Sequence, residues 1–214
     1  IIDAAQAMYD YDWQDPLRAR EAETAARLTA LRSEETLALV RGDRRYFAPQ
    51  SVEALAELLA EYPRATLLAG GTDVGLWVTK LHQDLDTVVY LGAISELHTI
   101  VEGEAALEIG AGATYTEAFE DRNYPDFGEL LRRLASTQIR NSGTIGGNIG
   151  NGSPIGDSMP VLIALGAELV LHSREGERRM PIEDYFIEYR KTALRPGEFI
   201  ERIRVPYLAP EDQF

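Results

Sequence analysis

The chain contains no cysteine. Within its 214 residues this removes disulfides, thiolate-bound iron–sulfur clusters and a cysteine nucleophile. No apolar run approaches the roughly 20 residues that span a bilayer, so no membrane partner is expected. Only three histidines occur, His82, His98 and His172, far apart and without HExxH or H-x-H spacing. They read as surface or hydrogen-bonded side chains, and no metal is expected. No serine stands in a G-x-S-x-G elbow. Bases are in deficit, with 21 Lys and Arg against 35 Asp and Glu, a net charge of −14. Such a surface repels nucleic-acid phosphates and excludes nucleic acid as an expected partner. The first residues, IIDAAQAMYDYD, are acidic and unlike a signal peptide. A cytoplasmic protein is therefore expected, and, with no initiator Met, an internal fragment of a longer chain is expected as well.

Hydrophobic content of 45% and charged content of 26% describe an ordinary globular chain able to bury a core. Residues 1–45 are polar and weakly patterned. They read as a partly helical connector, with one helix ending near Met8 and a second opening at Pro16. A clearer domain runs over 46–214. Ser51 is a good N-cap for a helix carrying Val52, Leu55, Leu58 and Leu59. Strands are expected over 65–71, 87–91, 106–113 and 198–207. Pro125 to Gln138 has helical spacing, and Asp157 stands where a helix through Leu165 begins. The runs 167–173 and 177–182 flank a hairpin turn. Helices and strands alternate and then strands dominate, which indicates an α+β chain with two subdomains, about 46–105 and 106–214.

Three glycine-bearing stretches are candidates for chemistry. "GAGATY" (110–115) matches half of a dinucleotide fingerprint, or is simply a strand-to-helix turn. "LLAGGTDVG" (67–75) delivers adjacent glycines from a strand, followed by Thr72 and Asp73. Its amides suit an anion, since glycine removes the Cβ that holds a ligand off the main chain; the alternative is a tight turn capped by Asp73. "RNSGTIGGNIGNGSP" (140–154) carries five glycines with small polar side chains between them. Ile145 and Ile149, four residues apart, suggest that it is pinned to a core and is no slack linker. Neither stretch has the lysine of a triphosphate-binding loop, so a diphosphate met by neutral amides fits better. Asp157 either accepts from ribose or ring N–H groups or caps its helix. Arg140, the only base in the stretch, has no evident role.

Residues 63–80 and 139–169 together resemble the FAD-binding domain of molybdenum hydroxylases, the fold shared with vanillyl-alcohol oxidase and p-cresol methylhydroxylase. Within that family the wording is most similar to the small, iron–sulfur and flavin subunit of bacterial xanthine dehydrogenases. "YRKTALRPGEFIERIRVP" (189–206) is similar to the family's closing segment, and "IIDAAQAM" resembles the residues after its last [2Fe–2S] cysteine motif. The resemblance implies that Leu67, Leu68, Ala69, Gly70, Gly71, Thr72, Asp73 and Val74 wrap the FAD diphosphate and flank the flavin. It implies that Thr144, Ile145, Gly146, Gly147 and Asn148 meet the diphosphate from the other side. Ser153 and Asp157 would contact the ADP or ribityl part, and Ile200 would pack on a ring face. Leu134 falls where some relatives carry an aromatic residue near the rings.

The sequence offers no supported candidate for a catalytic acid or base, and none is assigned in this chain. The resemblance implies an electron-transfer role in a hetero-oligomer: from a molybdopterin-binding large subunit, through [2Fe–2S] clusters in a preceding domain, to FAD and then NAD, during oxidation of hypoxanthine and xanthine. A C-terminal subdomain beyond Phe214 would complete the flavin site. Flavin subunits of other molybdenum hydroxylases, such as carbon monoxide dehydrogenase or aldehyde oxidase types, share both glycine stretches. A non-catalytic nucleotide-binding module is the alternative outside the enzymes.

Overall fold

The computed structural model describes residues 1–10, 15–118, 124–153, 156–189 and 191–208. Pro154 of the long glycine stretch, Arg190 of the closing segment and the terminal residues 209–214 lie outside that set. Two compact units divide between Glu34 and Glu35. The first holds α1 (Ile2–Ala7) and α2 (Glu21–Ala30), neither of which has a buried residue. The second helix opens at Glu21 and not at Pro16, after a short 3-10 turn over Arg18–Arg20.

The second unit begins with a hairpin, β1 (Leu37–Arg41) and β2 (Arg44–Ala48), turned by Gly42 at φ +61°. Residues 37–45, expected as connector, are thus sheet. The missed signal is the Gly-Asp turn between two runs of β-formers. Next come α3 (Val52–Glu61), β3 (Thr66–Leu68), α4 (Val74–Thr79) and β4 (Thr87–Tyr90). Ser51 caps α3 as expected, its Oγ accepting from the Ala54 N–H at 3.1 Å. The four strands form a sheet in the order β1-β2-β4-β3, antiparallel in the hairpin and parallel beyond it. Leu55, Leu59, Val89, Ile94, Leu97 and Phe199 are among the residues of its core.

After this sheet the chain forms β5 (Ile100–Glu102), β6 (Ala106–Gly110), α5 (Tyr115–Ala118), α6 (Pro125–Arg133), α7 (Thr137–Arg140), α8 (Ile145–Asn151) and α9 (Ser158–Ala164). It ends with β7 (Glu168–Ser173), β8 (Gly176–Pro181), β9 (Phe186–Glu188), β10 (Lys191–Thr192) and β11 (Phe199–Pro206). A five-stranded antiparallel sheet runs β5-β6-β11-β7-β8. It starts at Ile100, a few residues before the expected boundary at 105. Its core includes Leu107, Ile109, Leu162, Leu169, Leu171 and Ile203. Strand β11 joins the two halves, since Phe199 packs in the first core and Ile200 in the second.

Three local expectations change. The helix expected over 125–138 is two helices, broken where Leu134 turns extended and Ala135 takes φ +51°. Residues 145–151, read as a loop, are helical; the Ile145–Ile149 spacing is the i, i+4 repeat of that helix. Asp157 stands at the N-cap of α9, but its side chain makes no capping bond. Among the described residues no helix is long and apolar enough to cross a membrane.

Candidate functional site

The two glycine stretches meet. A Cβ built on Gly70 would overlap the Ser142 carbonyl oxygen, so the first loop lies backbone to backbone on the residue before Gly143. Beside this contact opens a cavity of about 840 Å³, within the usual range of ligand pockets. The loop from Ala69 to Asp73 leaves β3 and enters α4, with Gly71 at φ +70° making the turn. The N–H groups of Gly70, Gly71 and Thr72 meet no acceptor among the described residues. They are donors held at the cavity wall.

The second stretch is built differently. Thr144 caps α8, its Oγ1 accepting from the Gly147 N–H at 3.0 Å. The Ile145 N–H donates to the Ala113 carbonyl and the Gly146 N–H to the Ala111 carbonyl, both at 3.0 Å. A Cβ on Gly146 would strike Ala111. The helix is therefore fastened to the turn after β6, which is "GAGATY". Gly110 and Gly112 in that turn donate at 2.7 Å to the Thr99 and Leu97 carbonyls. The half fingerprint is a packing turn, and the amides of Ile145, Gly146 and Gly147 serve the fold.

Of the residues expected at the site, the cavity is lined by Leu67, Ala69, Gly70, Gly71, Thr72, Asp73 and Val74 on one side. Thr144, Gly146, Gly147, Asn148, Ser153 and Asp157 line the other, with Leu134 and Ile200 completing the apolar wall. Leu68 and Ile145 do not line it. Of β3 it is Thr66 and Leu67 that reach the cavity, and Leu68 does not. Ile145 is fully buried in the second core.

Several lining residues escaped the sequence reading: Trp77, Leu91, Tyr115, Ile139, Tyr185, Leu194 and Phe199. Trp77 had a signal, lying one helical turn beyond Asp73. The others are brought in by tertiary packing from separate elements. Tyr115 is 2% exposed and its hydroxyl lies 3.3 Å from Ser158 Oγ, which in turn makes a long contact of 3.5 Å to Asn148 Oδ1. Burial pushes the Tyr115 hydroxyl up to about 12, the Ser158 bond opposes this, and the Asp157 charge adds to it. Burial likewise raises Tyr185, helped by the Glu198 charge. Both phenols stay protonated at neutral pH.

Two devices hold the walls. The Arg140 guanidinium donates to the carbonyls of Leu134 (2.8 Å) and Ala135 (3.0 Å), fixing the break that turns Leu134 and Ala135 to the cavity. Arg178 clasps Glu198 with two bonds of 2.6 and 2.7 Å and also bonds the Ala193 carbonyl. Glu198 accepts the Arg195 N–H at 2.8 Å as well. Together they pin residues 193–198, which deliver Leu194, Phe199 and Ile200. The only charged side chains on the described lining are Asp73 and Asp157. His172 hydrogen-bonds Glu201 at 2.6 Å outside the lining, and Glu201 and Glu177 are both paired with Arg202.

Residues 40–208 match the family described as the FAD binding domain in molybdopterin dehydrogenase. The chain is 29% identical over 202 residues to the xanthine dehydrogenase/oxidase of Gallus gallus, covering 87% of the chain and 15% of that protein. It is 34% identical over 173 residues to the nicotinate dehydrogenase FAD-subunit of Eubacterium barkeri, covering 75% of the chain and 57% of the subunit. The fold matches a chain of carbon monoxide dehydrogenase from Hydrogenophaga pseudoflava with a TM-score of 0.74 at 30% identity, covering 80% of this chain and 62% of that one. The chain thus spans less than two thirds of the length of each of these relatives.

Proposed function

Since the chain belongs to the family of FAD binding domains in molybdopterin dehydrogenases, we propose that the cavity between its two glycine stretches is the FAD site. The observation that carries this reading is the contact of Gly70 with Ser142 beside unpaired amides. The residues fit the group. The Gly70, Gly71 and Thr72 amides and the Thr72 hydroxyl would hold the diphosphate, meeting its charge with dipoles where no base stands on the described lining. Val74, Trp77, Leu134 and Ile200 supply apolar walls for ring systems. Asn148, Ser153 and Asp157 would serve the sugar and ribityl groups. Because the Ile145, Gly146 and Gly147 amides are already bonded, α8 acts as the backing of the site more than as its anion-binding wall.

FAD when bound supplies the redox chemistry, and the protein supplies position and electrostatics. This chain's residues hold the ligand, exclude water with the Leu134, Phe199 and Ile200 wall, and keep Tyr115 and Tyr185 neutral. The function we infer is the FAD-binding, electron-transfer part of a xanthine dehydrogenase in a cytoplasmic hetero-oligomer. A molybdopterin-binding large subunit would receive electrons from the purine, [2Fe–2S] clusters would relay them, and NAD would take them from FAD. The identity to the xanthine dehydrogenase/oxidase supports this reading. A second reading, the FAD subunit of another molybdenum hydroxylase, is supported by the nicotinate and carbon monoxide dehydrogenase relatives. FAD titrated into the full chain tests the site itself. Saturable binding is expected, and a chain that takes up no flavin would refute it. Turnover of the assembled complex with xanthine and NAD, against nicotinate, separates the two enzyme readings.

A further inference from the structure

Within the described lining, the only ring N–H belongs to Trp77, and it is directed at a carboxylate. The indole Nε1–H donates to Asp73 Oδ2 at 2.8 Å. The two residues lie four apart across α4, so their side chains share a face, and both line the cavity. Asp73 stands at the N-cap of this helix, yet its carboxylate caps nothing. Its carbonyl oxygen takes the Leu76 and Trp77 amides instead. The side chain that would ordinarily turn back to the helix amides is drawn to the indole. Asp73 Oδ1 receives no donor among the described residues.

Resting on the FAD reading of the cavity, we propose that Trp77 is a positioning residue: it fixes the Asp73 carboxylate on the wall as an acceptor for a hydroxyl or ring N–H of the flavin cofactor. One oxygen is committed to the indole and the other is left for the ligand. A carboxylate held in one rotamer loses less freedom on binding than a mobile one. The tryptophan therefore acts through its N–H as well as through its ring surface.

The test is FAD affinity, read from flavin fluorescence on the full chain, for the unsubstituted protein, Trp77→Phe, Trp77→Leu, Asp73→Asn and the Trp77→Phe/Asp73→Asn pair. Loss of a hydrogen bond to a charged group is expected to weaken binding by about 3- to 10-fold in Trp77→Phe. In the pair the losses should not add, because both changes break one unit. Additive losses, or unchanged binding by Trp77→Phe, would overturn the proposal. Should Asp73→Asn fail to fold, the Phe and Leu variants decide. Similar losses in both assign the effect to the N–H, whereas loss in Leu alone makes Trp77 a mere wall and overturns it. No FAD binding by the unsubstituted chain overturns the site reading and this proposal with it; normal binding there beside an unaffected Phe variant overturns only the role of Trp77.

Discussion

Gly70 packs so closely on Ser142 that a methyl group at residue 70 would occupy the place of the Ser142 carbonyl oxygen. Backbone, unlike the end of a flexible side chain, cannot step aside cheaply. Gly70→Ala is expected to destabilise the protein by about 1–3 kcal/mol, as overpacking does, and to separate the two walls of the cavity. Thermal melts and retained flavin measure both. Gly75→Ala is the control. It lies in α4 with open space around its Cβ position, so it should stabilise by about 0.5–1 kcal/mol.

Each of the two stretches was legible in the sequence, because adjacent glycines after a strand and a glycine stretch anchored by two isoleucines are local patterns, while their pairing rested on the resemblance. The α+β alternation and the Ser51 cap were legible for the same reason. What was not legible depends on partners far along the chain. Thr144 to Asn148 looked like an anion loop because nothing local reveals that Ala111 and Ala113 accept the Ile145 and Gly146 amides. The break at Leu134 and Ala135 is held by Arg140, from the next helix. Its spacing looks helical throughout, so only the tertiary bond tells the two helices apart. Leu68 was placed at the site by resemblance, and the cavity stops short of it, reaching β3 at Thr66 and Leu67.

Thr144 is expected to matter as a cap before it matters as a ligand. Thr144→Ala should cost about 1 kcal/mol, and Thr144→Ser should restore most of it by keeping the hydroxyl that accepts from Gly147. Gly147→Val acts on the same bond, since its Cβ would stand 2.6 Å from Thr144 Oγ1. Lower melting temperature together with lower FAD occupancy is the expected result for the valine variant. Unchanged occupancy would show that this turn does not contribute to the cofactor site.

Arg140→Ala removes the donors to the Leu134 and Ala135 carbonyls and to Thr137 Oγ1. Ala135 holds a left-handed backbone without being glycine, a conformation that costs about 1–2 kcal/mol and needs support. The expected outcome is a modest loss of global stability, about 1 kcal/mol, with faster amide exchange confined to the turn between α6 and α7. Exchange unchanged there would mean that the turn stands without the arginine. Arg140→Lys should rescue only in part, because one ammonium is a point charge and lacks the planar fork.

Glu198 makes stability depend on pH. Burial alone would raise its carboxyl, but the Arg178 bond, the Arg195 amide and the charges of both arginines outweigh burial and leave it below the usual value of 4.5. A carboxylate depressed in the folded state stabilises fully above its unfolded value, and that contribution falls away as pH drops through the folded value. The difference in melting temperature between the native protein and Glu198→Gln should therefore be constant from pH 5 to 8. It should shrink as pH falls below that usual value of 4.5. At neutral pH the substitution is expected to cost about 2 kcal/mol, the scale of a hydrogen bond to a charged group. Because the same carboxylate pins the segment that carries Phe199 and Ile200, FAD affinity should fall with stability over the same acid range. A pH-independent difference between the two proteins would remove the ion pair from this role and leave Glu198 a filler of space.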